Sequence, residues 1–419
     1  MEDQSWINLG LDHMVKELVP IPKYMFSTHG LHRCLPLPSL VTPATLFVLP
    51  STHISWTNAQ VRSLDMYSPN QTSRFTYSVQ SNSSDGETEQ FLGPRTIISR
   101  LSTAAATQGQ ILPISPPFPN STYTLEFYGP AVQCQEANSS VATIIKSLRN
   151  ETVANFRGSI VEDSDYYFAF VPDLSNVGNS SAPNGGVAAV SQVRLQQPQN
   201  ASNQLWMVFS RYTLDTTGQR TTEDHCLLCQ LYNATYNINL TFEEGSQTIQ
   251  DQGTRILNLV DYPEANAPVS PDLMVQHAYS AFMWALTDLL VGSMGIFSEE
   301  TSKSSNVPTY FSEITTQIEH TSLLGSSDLD AFFDSNHALY SNNSVVSDQR
   351  LQDIALAKNR TLDILIEELA YNTTLSFMNS NLLSYVNSPP MPSLKSLPQY
   401  LIDPFQSFHH TERNRQSVN

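Results

Sequence analysis

The sequence predicts an α+β fold: an antiparallel β-sandwich-like domain with inserted helices, followed by a mainly helical C-terminal region. Three observations predict it. Between residues 38 and 262, apolar and polar residues alternate with the period of half-buried strands. Loops rich in Gly, Pro, Asn and Ser, such as residues 176–186, separate these runs and suit antiparallel pairing more than a βαβ array. After Tyr262 the pattern changes to helical periodicity.

Residues 1–37 form an N-terminal segment punctuated by Pro20, Pro22 and Pro36, and the apolar run 40–49 reads as a strand entering the first domain. Further strands are expected at 122–128, with Tyr123, Leu125 and Phe127 on one face, and at 165–171, 204–214, 231–242 and 254–260. Helices interrupt them at 90–106 and 140–155. Residues 263–271 form a Pro/Ala linker in which Ser270 can cap and Pro271 fits a first helical turn. The helix that follows, 273–292, is apolar almost all round and must be buried. A second strong helix spans 347–371, with Leu351, Ile354, Leu362, Leu365 and Leu369 on one side; shorter helical candidates lie near 310–320 and 327–333. The organisation is therefore an N-terminal segment (1–37), a β-rich domain (38–262), a helical region (263–385) and a Pro-rich linker with a polar tail (386–419).

Acidic residues outnumber basic ones by 39 to 21, a formal net charge of −18, and no Lys/Arg cluster offsets that field. A phosphate backbone is repelled by it, so nucleic acid is excluded as a partner. Only 14% of residues are charged, and Ser, Thr and Asn supply much of the polar surface.

Asn-x-Ser/Thr acceptor patterns occur at Asn70, Asn82, Asn120, Asn138, Asn150, Asn179, Asn200, Asn233, Asn239, Asn342, Asn359 and Asn372. That is about twice the roughly six that chance would place in a chain of this composition. In 231–242, Tyr236, Ile238, Leu240 and Phe242 alternate with Thr235, Asn237, Asn239 and Thr241, which puts Asn233 and Asn239 on the polar face, where a glycan fits. No acceptor precedes Asn70 or lies between Asn239 and Asn342. The glycans thus shield one surface and leave another bare, including the apolar helix, and the bare one is where a partner is expected.

Cys34, Cys134, Cys226 and Cys229 allow two disulfides in three pairings. In Cys226-Leu227-Leu228-Cys229 a strand-like segment follows, whereas a thioredoxin-type thiol needs a helix start. A structural zinc site needs a second close pair, and Cys34 and Cys134 stand far apart, so the cysteines read as structural disulfides with no metal and no cofactor. Asp215-Thr216-Thr217-Gly218 touches the aspartic-protease pattern but has an extra Thr and no second copy, and reads as a hairpin turn. Gly-x-Ser-x-Gly, His-Glu-x-x-His and Gly-rich nucleotide loops are absent, so no catalytic residue is assigned. Residues 1–10 lack the basic start and apolar run of a signal peptide, and the longest apolar stretch, 281–297, is interrupted by Thr287, Asp288 and Ser293. Either the chain is a fragment of a longer membrane-anchored product, or the acceptor asparagines do not report a secretory route.

Five segments, 5–12 (SWINLGLD), 39–48 (SLVTPATLFV), 129–134 (GPAVQC), 229–242 (CQLYNATYNINLTF) and 366–378 (IEELAYNTTLSFM), resemble a family of filamentous-fungal membrane glycoproteins of uncharacterised function. Members carry an extracytoplasmic region flanked by transmembrane helices, which implies membrane attachment through segments missing from this chain. Some are likened by name to formylmethionine deformylase; that chemistry needs the His-Glu-x-x-His this chain lacks, so the activity is not carried over. Cys134 and Cys229 are the cysteines that recur in the family motifs. The resemblance therefore implies a Cys134–Cys229 disulfide, leaving Cys34 and Cys226 for a second. The expected function is an N-glycosylated ectodomain on the extracytoplasmic side of a membrane, with an interaction or structural role and a protein or glycan partner. The alternative is a secreted hydrolase acting on cell-wall carbohydrate or peptide.

Overall fold

Two apolar runs, Tyr166–Asp173 and Gln204–Leu214, place buried side chains at consecutive positions and so have to be covered on both faces. They form the centre of the sheet. The computed structural model describes residues 53–61, 76–81, 89–116, 118–155, 158–160, 165–179, 181–191, 202–214, 220–263, 273–299, 309–333, 344–379 and 386–387. The strand expected at 40–49, Cys34 and the 386–419 tail beyond Asn387 lie outside these residues.

The first half of the chain contributes β1 (Ile54–Val61), β2 (Tyr77–Ser81), β3 (Glu89–Pro94), α1 (Thr96–Gln108), β4 (Ser121–Glu136), α2 (Ser139–Asn155), β5 (Gly158–Ile160), β6 (Tyr166–Asp173) and β7 (Ala188–Val190). There follow β8 (Gln204–Leu214), β9 (Arg220–Glu243), β10 (Ser246–Asp251), β11 (Arg255–Leu259), α3 (Met274–Leu290), β12 (Gly292–Glu299), β13 (Thr309–Ile314), α4 (Ser344–Ala357), α5 (Leu362–Ser376) and β14 (Val386–Asn387). Twelve strands join one sheet in the order β13-β12-β6-β8-β9-β4-β1-β14, with β5, β7, β10 and β11 pairing off this path; β2 and β3 form a separate hairpin. Among the described residues every pairing is antiparallel except β1 with β4.

The mixed α and β content matches the expected class. The expected sandwich is not what the described residues show: all strands but the β2–β3 hairpin join one hydrogen-bonded sheet with helices on its faces. Tyr167, Ala169, Leu205, Met207, Phe209, Leu227, Cys229 and Leu231 join the larger core with α3 and α5. Their neighbours Tyr166, Phe168, Phe170, Trp206, Val208 and Cys226 join a second cluster with Ile145, Leu148 and Val153 of α2. Alternate residues of the same three strands thus serve opposite faces, as period-two geometry requires.

α3 is buried from His277 through Thr287 and again at Leu289 and Leu290. The apolar helix left free of acceptors is therefore core rather than a bare surface, a correction that follows from its all-round apolar character. At its end Gly292 adopts φ +122, and a Cβ there would meet the Thr316 nitrogen at 2.7 Å, so glycine turns the chain straight into β12.

The 263–385 stretch is not simply helical. β12 pairs with β6, and β13 occupies the place of the helix expected near 310–320, because Thr309, Tyr310 and Phe311 suit a strand beside the open edge of β12. The helix expected over 90–106 starts six residues later than 90, at Thr96, since Pro94 ends a strand and disfavours helix before it. The single helix expected over 347–371 divides at Lys358 and Asn359, both left-handed with φ 54 and 57. α5 then begins where the Asp328 carboxylate accepts the Leu362 N–H at 2.8 Å while pairing with Arg211 of β8 at 2.5 Å.

β4 pairs with β1 only near Ile54–Ala59, so its later half would present an open edge. α5 covers that edge. Glu367 accepts the Cys134 N–H at 2.8 Å, Thr374 donates to the Pro130 carbonyl at 3.0 Å, and Pro130 itself has no N–H to satisfy.

Candidate functional site

Cys226 and Cys229 are three positions apart, an odd offset, so in β9 they point to opposite faces. Cys229 sits directly across from Cys134 in the β4–β9 ladder and is disulfide-bonded to it, with Cα atoms 4.0 Å apart. Cys226 lies in the α2 cluster as a thiol, its pKa pushed up by burial against the opposing charges of Lys146 and Arg149. A paired redox or zinc role for this Cys-x-x-Cys is geometrically closed, since one sulfur is bonded elsewhere and the other faces away. The Cys34–Cys226 pairing lies outside the described residues. The Asp215–Gly218 turn does too, although its flanking strands pair with Leu214 opposite Arg220, as a hairpin requires.

The acceptor asparagines separate into distinct environments. Asn138, Asn150, Asn179 and Asn359 are exposed; Asn120 and Asn239 are half-buried. At Asn138 the side-chain oxygen caps α2 by accepting the Val141 N–H at 3.0 Å, and at Asn179 it accepts the Ser181 N–H at 3.1 Å. Both contacts use the oxygen, whereas a glycan attaches through the nitrogen. Asn70, Asn82, Asn200 and Asn342 lie outside the described residues.

Asn233 and Asn372 are different, and the expected polar facing of Asn233 is corrected. Asn233 is 2% exposed; its oxygen accepts the Tyr279 hydroxyl at 2.7 Å and its nitrogen lies 3.4 Å from the Asn258 oxygen. The buried set on β9 runs 227, 229, 231, 233 and then 234, 236, 238, 240, 242, so its parity changes between Asn233 and Ala234. Opposite this point β11 carries an extra residue between Ile256 and Asn258, and Tyr279 of α3 covers Asn233, a tertiary contact that strict alternation along β9 cannot foresee. Asn372 is buried on α5, 7% exposed.

Polar groups cluster beneath α2. Asp224 of β9 is contacted by Lys146 and Arg149, each 3.1 Å from the same oxygen, and by the Tyr166 hydroxyl on the other. Burial opposes ionisation of Asp224, but the hydrogen bonds from Tyr166 and Lys146 and the charges of Arg149 and Lys146 outweigh it and hold the carboxyl below its ordinary value. Beside it, His225 meets Glu136 at 3.0 Å. These groups satisfy one another, which makes them a clasp between α2 and the sheet.

His277 of α3 has no such partner. It is 1% exposed, stacked on Phe91 at 4.9 Å and beside Tyr77 at 5.6 Å, and both ring nitrogens lack a hydrogen bond. Burial lowers its pKa to about 4, so the imidazole is neutral near pH 7. Among the described residues no group of three or more His, Cys, Asp or Glu side chains could hold a metal ion.

The remaining feature is a cleft of about 310 Å³ where the end of β6, the start of β8 and the chain after β11 converge, formed by residues 173–175, 202–204 and 259–262. Asn203 forms its floor, 4% exposed, donating to the Val260 carbonyl at 3.1 Å and to Ser280 Oγ of α3 at 3.0 Å. Asn203 Oδ1 and Ser202 Oγ are buried with no hydrogen-bond partner. Asp173 and Asp261 lie on the walls with Tyr262, whose phenol pKa is raised by burial. No family model, curated protein or solved structure matches the chain. Motif reading missed the cleft because its residues come from three separated segments, none with a signature spacing.

Proposed function

We propose that this chain is an N-glycosylated ectodomain on the extracytoplasmic side of a membrane, with a binding role. The observation that supports it best is the Cys134–Cys229 disulfide joining the two longest strands, a bond that persists in oxidising compartments. The exposed acceptors Asn138, Asn150, Asn179 and Asn359 agree with it. The resemblance to fungal membrane glycoproteins adds the proposal that segments outside this chain provide the anchor. Among the described residues no helix is long and apolar enough to cross a membrane.

Expression through a eukaryotic secretory pathway tests this reading. The secreted protein is expected to lose mass on endoglycosidase treatment and to resist alkylation at Cys134 and Cys229 until reduced. An unchanged mass together with freely alkylated cysteines would overturn it.

A second reading, a hydrolase of carbohydrate or peptide, is favoured by one observation: Asp173 and Asp261 share the cleft, as an acid pair would. Turnover of a glycan or peptide that D173N and D261N both abolish would establish it; turnover unaffected by either would remove it.

A further inference from the structure

We infer that the cleft at residues 173–175, 202–204 and 259–262 binds a neutral, hydroxyl-rich ligand, a saccharide unit. The inference rests on the proposed binding role and names its ligand class. At about 310 Å³ the cleft is at the lower end of the ~300–1,000 Å³ typical of small-molecule sites, enough for a short glycan but not for a folded partner.

Its chemistry narrows the ligand. Among the described residues no Lys, Arg or His lines the cleft, and Asp173 and Asp261 repel anions. The floor leaves Asn203 Oδ1, an acceptor, and Ser202 Oγ, both donor and acceptor, buried and unpartnered. Such orphaned groups are costly, and the cost is recovered by a ligand that brings both donors and acceptors. An ammonium brings donors alone; a sugar hydroxyl brings both. Apolar surface from Leu174, Leu259 and the Tyr262 ring lies beside these groups, matching the C–H face of a pyranose. Asn203 is held by Val260 and Ser280, so the acceptor is fixed before a ligand arrives.

The test uses the full chain purified from a secretory host. Saturation-transfer NMR and titration calorimetry are run with maltotriose, chitotriose and mannotriose at millimolar concentration, and with spermidine as the cationic comparison. At least one trisaccharide is expected to bind. S202A should weaken that binding about fivefold, the effect of one neutral hydrogen bond, with an unchanged melting temperature. L259W, at a side chain 42% exposed, should fill the cleft and abolish binding while leaving the core intact, which decides the matter if S202A proves unstable. No saturation transfer from any trisaccharide, binding indifferent to S202A and L259W, or binding of spermidine alone would each overturn the inference. Endoglycosidase sensitivity of the same preparation reports the ectodomain reading separately, so a glycosylated protein that binds no sugar sinks this inference alone.

Discussion

The two faces of the central sheet are closed by opposite chemistry. On one, α3 and α5 bury a continuous apolar and aromatic layer in which His277 is a lone, uncharged imidazole without a hydrogen bond. On the other, α2 lays a smaller apolar cluster over the strands and adds a clasp of Lys146, Arg149, Tyr166 and Asp224. One face depends on packing and loses stability when a charge is forced into it. The other depends partly on ionised groups. β9 joins the two, with Cys229 on the first face and Cys226 on the second.

Removing the cross-strand bond should have the largest effect. The chain-entropy estimate for a closed loop of 95 residues is about 4–5 kcal/mol, so C134S/C229S should lower the denaturant midpoint sharply. C226A on the opposite face should cost only about 1 kcal/mol. Equal effects would mean that the cross-link contributes no more than an ordinary buried side chain.

Packing comes next. Phe282 is fully buried in α3 and edge-on to Phe377, and F282A should cost about 3–5 kcal/mol by urea denaturation. I145A in α2 should cost less, about 2–4 kcal/mol, because its cluster is smaller.

The faces should also differ in pH response. His277 is neutral in the fold with a pKa lowered to about 4, while the unfolded chain titrates near the ordinary 6.5. The unfolded state therefore binds more protons as pH falls between those values, and stability should decline by up to about 3 kcal/mol at roughly 1.4 kcal/mol per unit. H277F should flatten that decline. A pH profile identical in wild type and H277F would remove the uncharged imidazole from the description.

The α2 clasp should give the smallest effect. D224N should cost about 1–2 kcal/mol near neutral pH. Because the Asp224 carboxyl is held below its ordinary value of 3.8, its contribution is present above that pH and disappears as pH falls below it. Wild type and D224N should therefore converge only in strong acid.

Much of the sheet was legible because strand periodicity is local: 204–214 matches β8 as expected, and 165–171 and 231–242 fall within or against β6 and β9. What was not legible depended on partners distant in sequence. The strand at Thr309–Ile314 exists because β12 offers an edge, and Asn233 is buried where α3 brings Tyr279 onto it. The cleft is assembled from three segments and has no sequence signature at all. The Cys134–Cys229 pair followed from the family resemblance, whereas the opposite facing of Cys226 follows from strand period alone.

Site-by-site glycopeptide mass spectrometry on the secreted protein tests the central claim most directly. Glycans are expected on the exposed Asn138, Asn150, Asn179 and Asn359, and none on Asn233 or Asn372, where a bulky sugar is incompatible with burial. Unmodified peptides at all four exposed positions would contradict the ectodomain reading, and a glycan on Asn233 in folded protein would contradict the arrangement of β9, β11 and α3 around it.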